Sequence, residues 1–175
     1  MTTSIGAVNG IEIGYETLGE AGDEPLLLVM GLGAQLIAWP IELCEALVDR
    51  GFFVIRYDNR DTGLSTQFEH VGGDLTSSFM RAFQGDAVDA AYTLSDMAAD
   101  GMALLDHLGI DSAHVVGASM GGMIAQTMAI EHPARVRTLT SIMSMTGEPD
   151  HGQPTPEALE ILIRPAGATR DEVIE

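Results

Sequence analysis

The stretch HVVGASMGG, His114 to Gly122, narrows the choice of fold more than any other part of this chain. An apolar strand-like run ends at Gly117, and helical spacing begins at about Ser119. The chain must therefore turn sharply, and the residue at the turn is held in a strained backbone conformation. The residues two before and two after it crowd one another, so only small ones fit. Both are glycine, Gly117 and Gly121. A strand–turn–helix unit this tight belongs to a sheet whose strands alternate with helices. In such sheets chemistry gathers at the carboxyl ends of the strands, which is where the Ser119 hydroxyl is aimed.

The remaining segments agree with that placement. VNGIEIGYETLG (8–19) carries a turn signal and then the alternation Ile11, Ile13, Tyr15, which predicts one half of a hairpin. PLLLVM (25–30) and FFVIRYD (52–58) are continuous apolar runs of strands buried on both faces. PIELCEALVDRG (40–51) opens on Pro and closes on Gly, the signals of a helix. TLSDMAADGMALLDHLG (93–109) begins with a capping pair, Thr93 and Asp96. It places Met97, Gly101, Leu104, Leu105 and Leu108 on one face. SAHVVG (112–117) and RVRTLTSIMS (135–144) read as strands around a helix at 119–133. The result is an α/β chain with a mostly parallel sheet and helices on both faces. Residues 66–92, with a helical patch at SSFMRAF, are an excursion from the main layer. From Glu148 the chain turns proline-rich, with short helical patches at PEALEIL and TRDEVIE. The core thus runs over 1–147, and 148–175 is a separate insertion.

The loops at 31–39, 58–65 and 117–121 all leave carboxyl ends of expected strands, so they converge on one rim. Within the first, Met30-Gly31-Leu32-Gly33 follows a buried strand directly. A glycine-bearing turn there can point a backbone N–H, that of Leu32, at the same place as the Met120 N–H at the start of the helix. Two such donors form an oxyanion hole; a plain turn is the alternative. A dinucleotide loop is disfavoured, because the third glycine of its pattern would fall at Leu36. Met30, Gly31 and Trp39 are the expected pocket lining. In the second loop, Asp58 and Arg60 are expected to brace the chain by pairing with backbone groups and with each other. A metal site is disfavoured there, since no His partners stand at ligand spacing.

Composition excludes several classes. The formal charge is −18, with no Lys at all, which repels phosphate backbones and anionic membranes. The longest apolar runs are far too short to cross a bilayer. The opening residues lack a secretory pattern, and Cys44 is the only cysteine. A reducing cytoplasm is the expected setting, with no cofactor and no metal.

As a set, LLLVMGLGAQLIAWP, VIRYDNRDTGLS, TLSDMAADGMALLDHLGI and AHVVGASMGGMIAQTMAIEHP resemble the α/β-hydrolase family. Within it they resemble the branch containing aclacinomycin methylesterase. The resemblance covers about Ile11 to Ser144. It implies Ser119 as a nucleophile of ester hydrolysis, with the Leu32 and Met120 N–H groups as the oxyanion hole and a small ester-like molecule as substrate. Met30-Gly31 stands where most of the wider family has His-Gly. The family's order is Ser, then an acid, then His. On that order the acid and the His are expected beyond Glu175, and the tail from Glu148 resembles the start of a cap. His70, His107, His114, His132 and His151 do not stand where the base is needed. The chain by itself is then expected to be inactive or severely impaired. The sheet would be incomplete on its C-terminal side, with 135–144 an exposed edge prone to self-association. Another cofactor-free reaction on the same fold, perhydrolysis or C–C hydrolysis, and an inactive binding module are the alternatives.

Overall fold

The computed structural model describes residues 2–68, 81, 90–148, 151–152, 155, 157–158 and 161. The chain divides into two compact units, Met1–Val71 with Ala90–Thr146, and Gly72–Asp89 with Gly147–Glu175. In the second unit the His151 N–H donates to the Glu148 carbonyl and the Ala158 N–H donates to the Thr155 hydroxyl. His70, most of the SSFMRAF patch, four of the seven residues of PEALEIL and all of TRDEVIE lie outside the described residues.

The first unit is built on a sheet of six strands among the described residues. They are β1 (Ser4–Val8), β2 (Ile11–Leu18), β3 (Glu24–Val29), β4 (Phe52–Tyr57), β5 (Ala113–Ala118) and β6 (Val136–Ile142), in the order β1-β2-β4-β3-β5-β6. β1 and β2 form an antiparallel hairpin, and β2 runs antiparallel to β4. The hairpin turns at Asn9 and Gly10, both at positive φ (47° and 78°), as a type of turn rich in Asn-Gly requires. The other pairs are parallel. The helices are α1 (Ile41–Val48), α2 (Leu94–His107) and α3 (Met120–Glu131).

Strand alternation sends successive residues of β3 to opposite faces, and each face meets its own core. Leu27 and Val29 pack with Ile55, Tyr57 and Val115 beneath α2 and α3, against Met97, Leu104, Leu105, Ile124 and Met128. Leu26 and Leu28 pack on the other side with Val54, Ala118, Trp39 and Cys44 of α1. The continuous apolar runs of β3 and β4 are thus explained by burial on two faces. α2 starts with a full capping box: the Thr93 hydroxyl accepts the Asp96 N–H, and the Asp96 carboxylate accepts the Thr93 N–H. The Thr93 N–H and the Thr93 hydroxyl, both donating to the Asp96 carboxylate, hold it below its ordinary pKa.

Parallel register sets the rim. Val29 of β3 pairs with Gly117 of β5, and Ala118 pairs with Ile142 of β6. The chain leaving each of these strands therefore emerges at the same end of the sheet. Between β3 and α1, a single 3-10 turn at Leu36–Ala38 interrupts what the sequence reads as plain loop.

Candidate active site

The turn after β5 is as crowded as its glycines imply. A Cβ on Gly117 would stand 2.1 Å from the Gly121 carbonyl oxygen, and one on Gly121 would stand 2.2 Å from the Val29 carbonyl oxygen. Both obstacles are backbone, so neither can swing aside. Between them Ser119 has φ 56° and ψ −126°, a left-handed conformation that costs an L-residue on the order of 1–3 kcal/mol. Two bonds hold it there. The Ser119 N–H donates to the Ile142 carbonyl at 3.0 Å, and its own carbonyl accepts the Gly122 N–H at 2.8 Å.

Ser119 stands at the N-cap position of α3, but its side chain does not cap the helix. An ordinary N-cap serine turns its oxygen back onto the amides of the first turn. Here the hydroxyl makes no hydrogen bond to any described residue, and the residue is half-buried. The Met120 and Leu32 N–H groups likewise have no acceptor among the described residues.

The turn after β3 lies directly against this serine. A Cβ on Gly31 would be 3.0 Å from the Ser119 Cβ and 3.3 Å from its Oγ. Leu32 follows with its side chain 56% exposed. Gly33 takes φ 67°, and the turn is closed by the Ala34 N–H donating to the Gly31 carbonyl. Met30 is half-buried, and its carbonyl accepts from the Asn59 side-chain amide at 2.8 Å. Trp39 is buried in the core cluster with Leu28, Cys44 and Ala118, and its indole N–H has no partner there.

The polar loop after β4 braces this rim. One Asp58 carboxylate oxygen accepts the Leu36 N–H at 2.7 Å, the other the Leu64 N–H at 3.0 Å. Asp58 thereby ties the 3-10 turn to its own loop. Arg60 does not pair with Asp58, contrary to the sequence expectation. Its guanidinium forms a two-pronged pair with Asp100 of α2, at 2.7 and 2.8 Å, which also receives the Asn9 amide at 2.8 Å. The guanidinium lies over the rings of Phe68 and Tyr92, 5.2 and 5.0 Å from their centroids. Hydrogen bonding to Asp100 raises the Arg60 pKa against the opposing effect of burial. A second buried pair, Arg56 with Glu16 at 2.7 Å, joins β4 to β2. Burial alone raises the Glu16 pKa, but hydrogen bonds from Arg56 and Thr3 and the Arg56 charge outweigh it and hold it low. Burial pushes the Tyr57 phenol well above its ordinary range. No cluster of His, Cys, Asp and Glu among the described residues could hold a metal ion.

The described histidines of this unit are elsewhere. His114 is near the start of β5, bonded to Thr138, so Ser119 is about 16 Å further along at the rise of a strand. His107 packs edge-on against Tyr15. His132 closes α3, about 18 Å from its start at the helical rise. The structure therefore brings Gly31 against Ser119 and the Met30 carbonyl against Gly121, without a histidine from these three positions. Gln126, on α3 beside the end of β6, escaped sequence reasoning. One polar residue in a helical pattern carries no signal of what its side chain touches.

Residues 24–168 match the family described as alpha/beta hydrolase fold. A rhodomycin D methylesterase of a Streptomyces species is 32% identical over 100% of this chain, which covers 59% of that protein. A second rhodomycin D methylesterase, from Streptomyces peucetius, is 34% identical over 91% of the chain and is covered to 54%. The chain thus spans little more than half the length of these relatives. The crystal structure of epoxide hydrolase A from Mycobacterium thermoresistibile superposes with a TM-score of 0.66 at 26% identity, over 80% of this chain and 38% of that one. No helix among the described residues is long and apolar enough to cross a membrane.

Proposed function

Because the chain belongs to the alpha/beta hydrolase fold family, we propose that it carries the nucleophile and oxyanion hole of a serine esterase. The observation that carries this reading is the Ser119 hydroxyl. It is held on a strained turn, unused by its own helix, and stands beside Gly31. A residue is kept in so costly a conformation when its side chain must be presented.

In the proposed reaction Ser119 Oγ attacks the ester carbonyl carbon while its proton passes to a base. The C=O pair of electrons moves onto oxygen, where the Leu32 and Met120 N–H groups receive it. The C–O bond to the alcohol then breaks, and the base returns the proton to the departing alkoxide. Water repeats the sequence on the acyl-serine and releases the acid. In this reading the base is a histidine oriented by a carboxylate, the partners that follow the serine in the chain order of this fold family. Without that base, only the modest acceleration of an oxyanion hole and binding remains.

Met30, Leu32 and Met120 stand next to the site residues in the chain, and an apolar pocket with adaptable methionines would favour an ester with a sizeable apolar portion. The relatives named as methylesterases support a carboxylic ester of a small molecule. The test is phosphonate labelling of the protein expressed from its own coding region, followed by peptide mapping. The adduct is expected on Ser119, and Ser119→Ala should lower ester hydrolysis by at least about a thousandfold. A folded protein that hydrolyses esters equally well with alanine at 119 would end this reading. A protein that takes no adduct and hydrolyses nothing would be a binding module instead.

A further inference from the structure

Ser119, Gly122 and Gln126 are spaced i, i+3 and i+7, so they share one face of α3 and its N-cap. That face meets the exit of β6. Ser119 donates its N–H to the Ile142 carbonyl. One residue later Met143 takes φ 40° with its side chain 80% exposed, so nothing about its own packing holds it in a left-handed conformation. Gly122 leaves the space that Ser144 occupies, since a Cβ there would stand 2.6 Å from the Ser144 Cβ. The Gln126 amide nitrogen then donates to the Ser141 hydroxyl and the Met145 carbonyl, both at 3.2 Å, and to the Ser144 hydroxyl at 3.5 Å.

Six of the seven residues of β6 are exposed among the described residues. Its end is set by ladder bonds to β5 on one side and by this amide on the other. We propose that Gln126 is a positioning residue that clamps the exit of β6 and so fixes the carbonyl that holds the Ser119 amide. The functional meaning of the clamp rests on Ser119 being the nucleophile, but the clamp itself does not. If Ser141 to Met145 drifts, the Ile142 carbonyl drifts with it. The Ser119 backbone then loses one of its two restraints, and a shift of about 1 Å in a reacting group is enough to slow chemistry strongly.

The test is hydrogen exchange of individual backbone amides in the wild type and in Gln126→Leu, which keeps volume and removes the donors. The Ser119 amide should exchange about tenfold faster or more, while the Leu27 and Val115 amides keep their protection. The saturating rate of phosphonate labelling at Ser119 should fall, with the probe concentration for half-saturation little changed. Unchanged protection at Ser119 would overturn the proposal, as would equal loss of protection throughout β3 and β5. If Gln126→Leu does not fold, Gln126→Glu is read the same way, since it keeps the length of the side chain and lacks its amide donors. If the Ser119 amide loosens in the variant but the wild type never takes the phosphonate, the clamp stands and the esterase reading falls.

Discussion

The two neighbours of β5 differ sharply. β3, on one side, buries Leu26, Leu27, Leu28 and Val29 to 4% exposure or less. β6, on the other, leaves Leu139 and Ile142 at 40% and 42%, and Met143 just after it at 80%. The turn that carries Ser119 leans on both. From the β3 side it is confined by backbone, the Val29 and Met30 carbonyls against Gly121. From the β6 side it is held by the Ile142 carbonyl, while Ser141 and Ser144 lie against Gly122 and accept from Gln126. Among the described residues the turn is confined on one flank by packed backbone and held on the other by a hydrogen bond.

The largest effect that sharpens this contrast comes from adjacent glycines. Gly121→Ala drives a methyl into the Val29 carbonyl and should cost at least about 4 kcal/mol, enough to prevent folding of a marginal domain. Gly122→Ala meets the Ser144 Cβ at 2.6 Å, so the exit of β6 must shift to admit the methyl. It also gains about 1 kcal/mol of helix propensity, and the Ser144 side chain is not a fixed carbonyl, so its net cost should be smaller than that of Gly121→Ala. Urea midpoints of the two variants measure the difference, and equal costs would mean that β6 is as immovable as β3.

The next effect concerns leucines. Leu27→Ala should cost about 2–5 kcal/mol, because Leu27 is wholly buried between sheet and helices. Leu139→Ala should cost less than about 1 kcal/mol, because its side chain is already partly in water. A Leu139 cost close to that of Leu27 would show that β6 is covered in solution.

How much of this was legible beforehand follows from how local each signal is. β3, β4 and the capped start of α2 are written in contiguous residues, and the crowding of Gly117 and Gly121 follows from a five-residue pattern. β1 was visible only as the missing half of a hairpin, since Ser4–Val8 has little alternation of its own. The 3-10 turn at Leu36–Ala38 is too short to show a period. Arg60 was assigned to its sequence neighbour Asp58, whereas its partner Asp100 arrives forty positions later on a crossing helix. A loop carboxylate two residues away and a helix carboxylate far along the chain look alike until the fold joins them. Gln126 was lost for the same reason.

The smallest effect belongs to the closed flank of the sheet and appears as a slope. Glu16 titrates below its ordinary value in the folded chain because of Arg56 and Thr3, despite burial. Its contribution to stability is therefore complete above the unfolded pKa and is lost as pH falls through the folded one. Stability followed from neutral pH into the acid range should decline less steeply in Glu16→Gln than in the wild type. Parallel profiles would mean that the Arg56 pair is already broken in solution.

The left-handed conformation of Ser119 has one more consequence. Glycine would occupy φ 56° without steric conflict, so by backbone energy alone the hydroxyl is the wrong choice at this position. Heat resistance and reactivity therefore pull against each other at a single residue. Selection for thermal robustness alone would drift toward erasing the oxygen, and the more durable molecule would be the one with nothing left to offer a substrate.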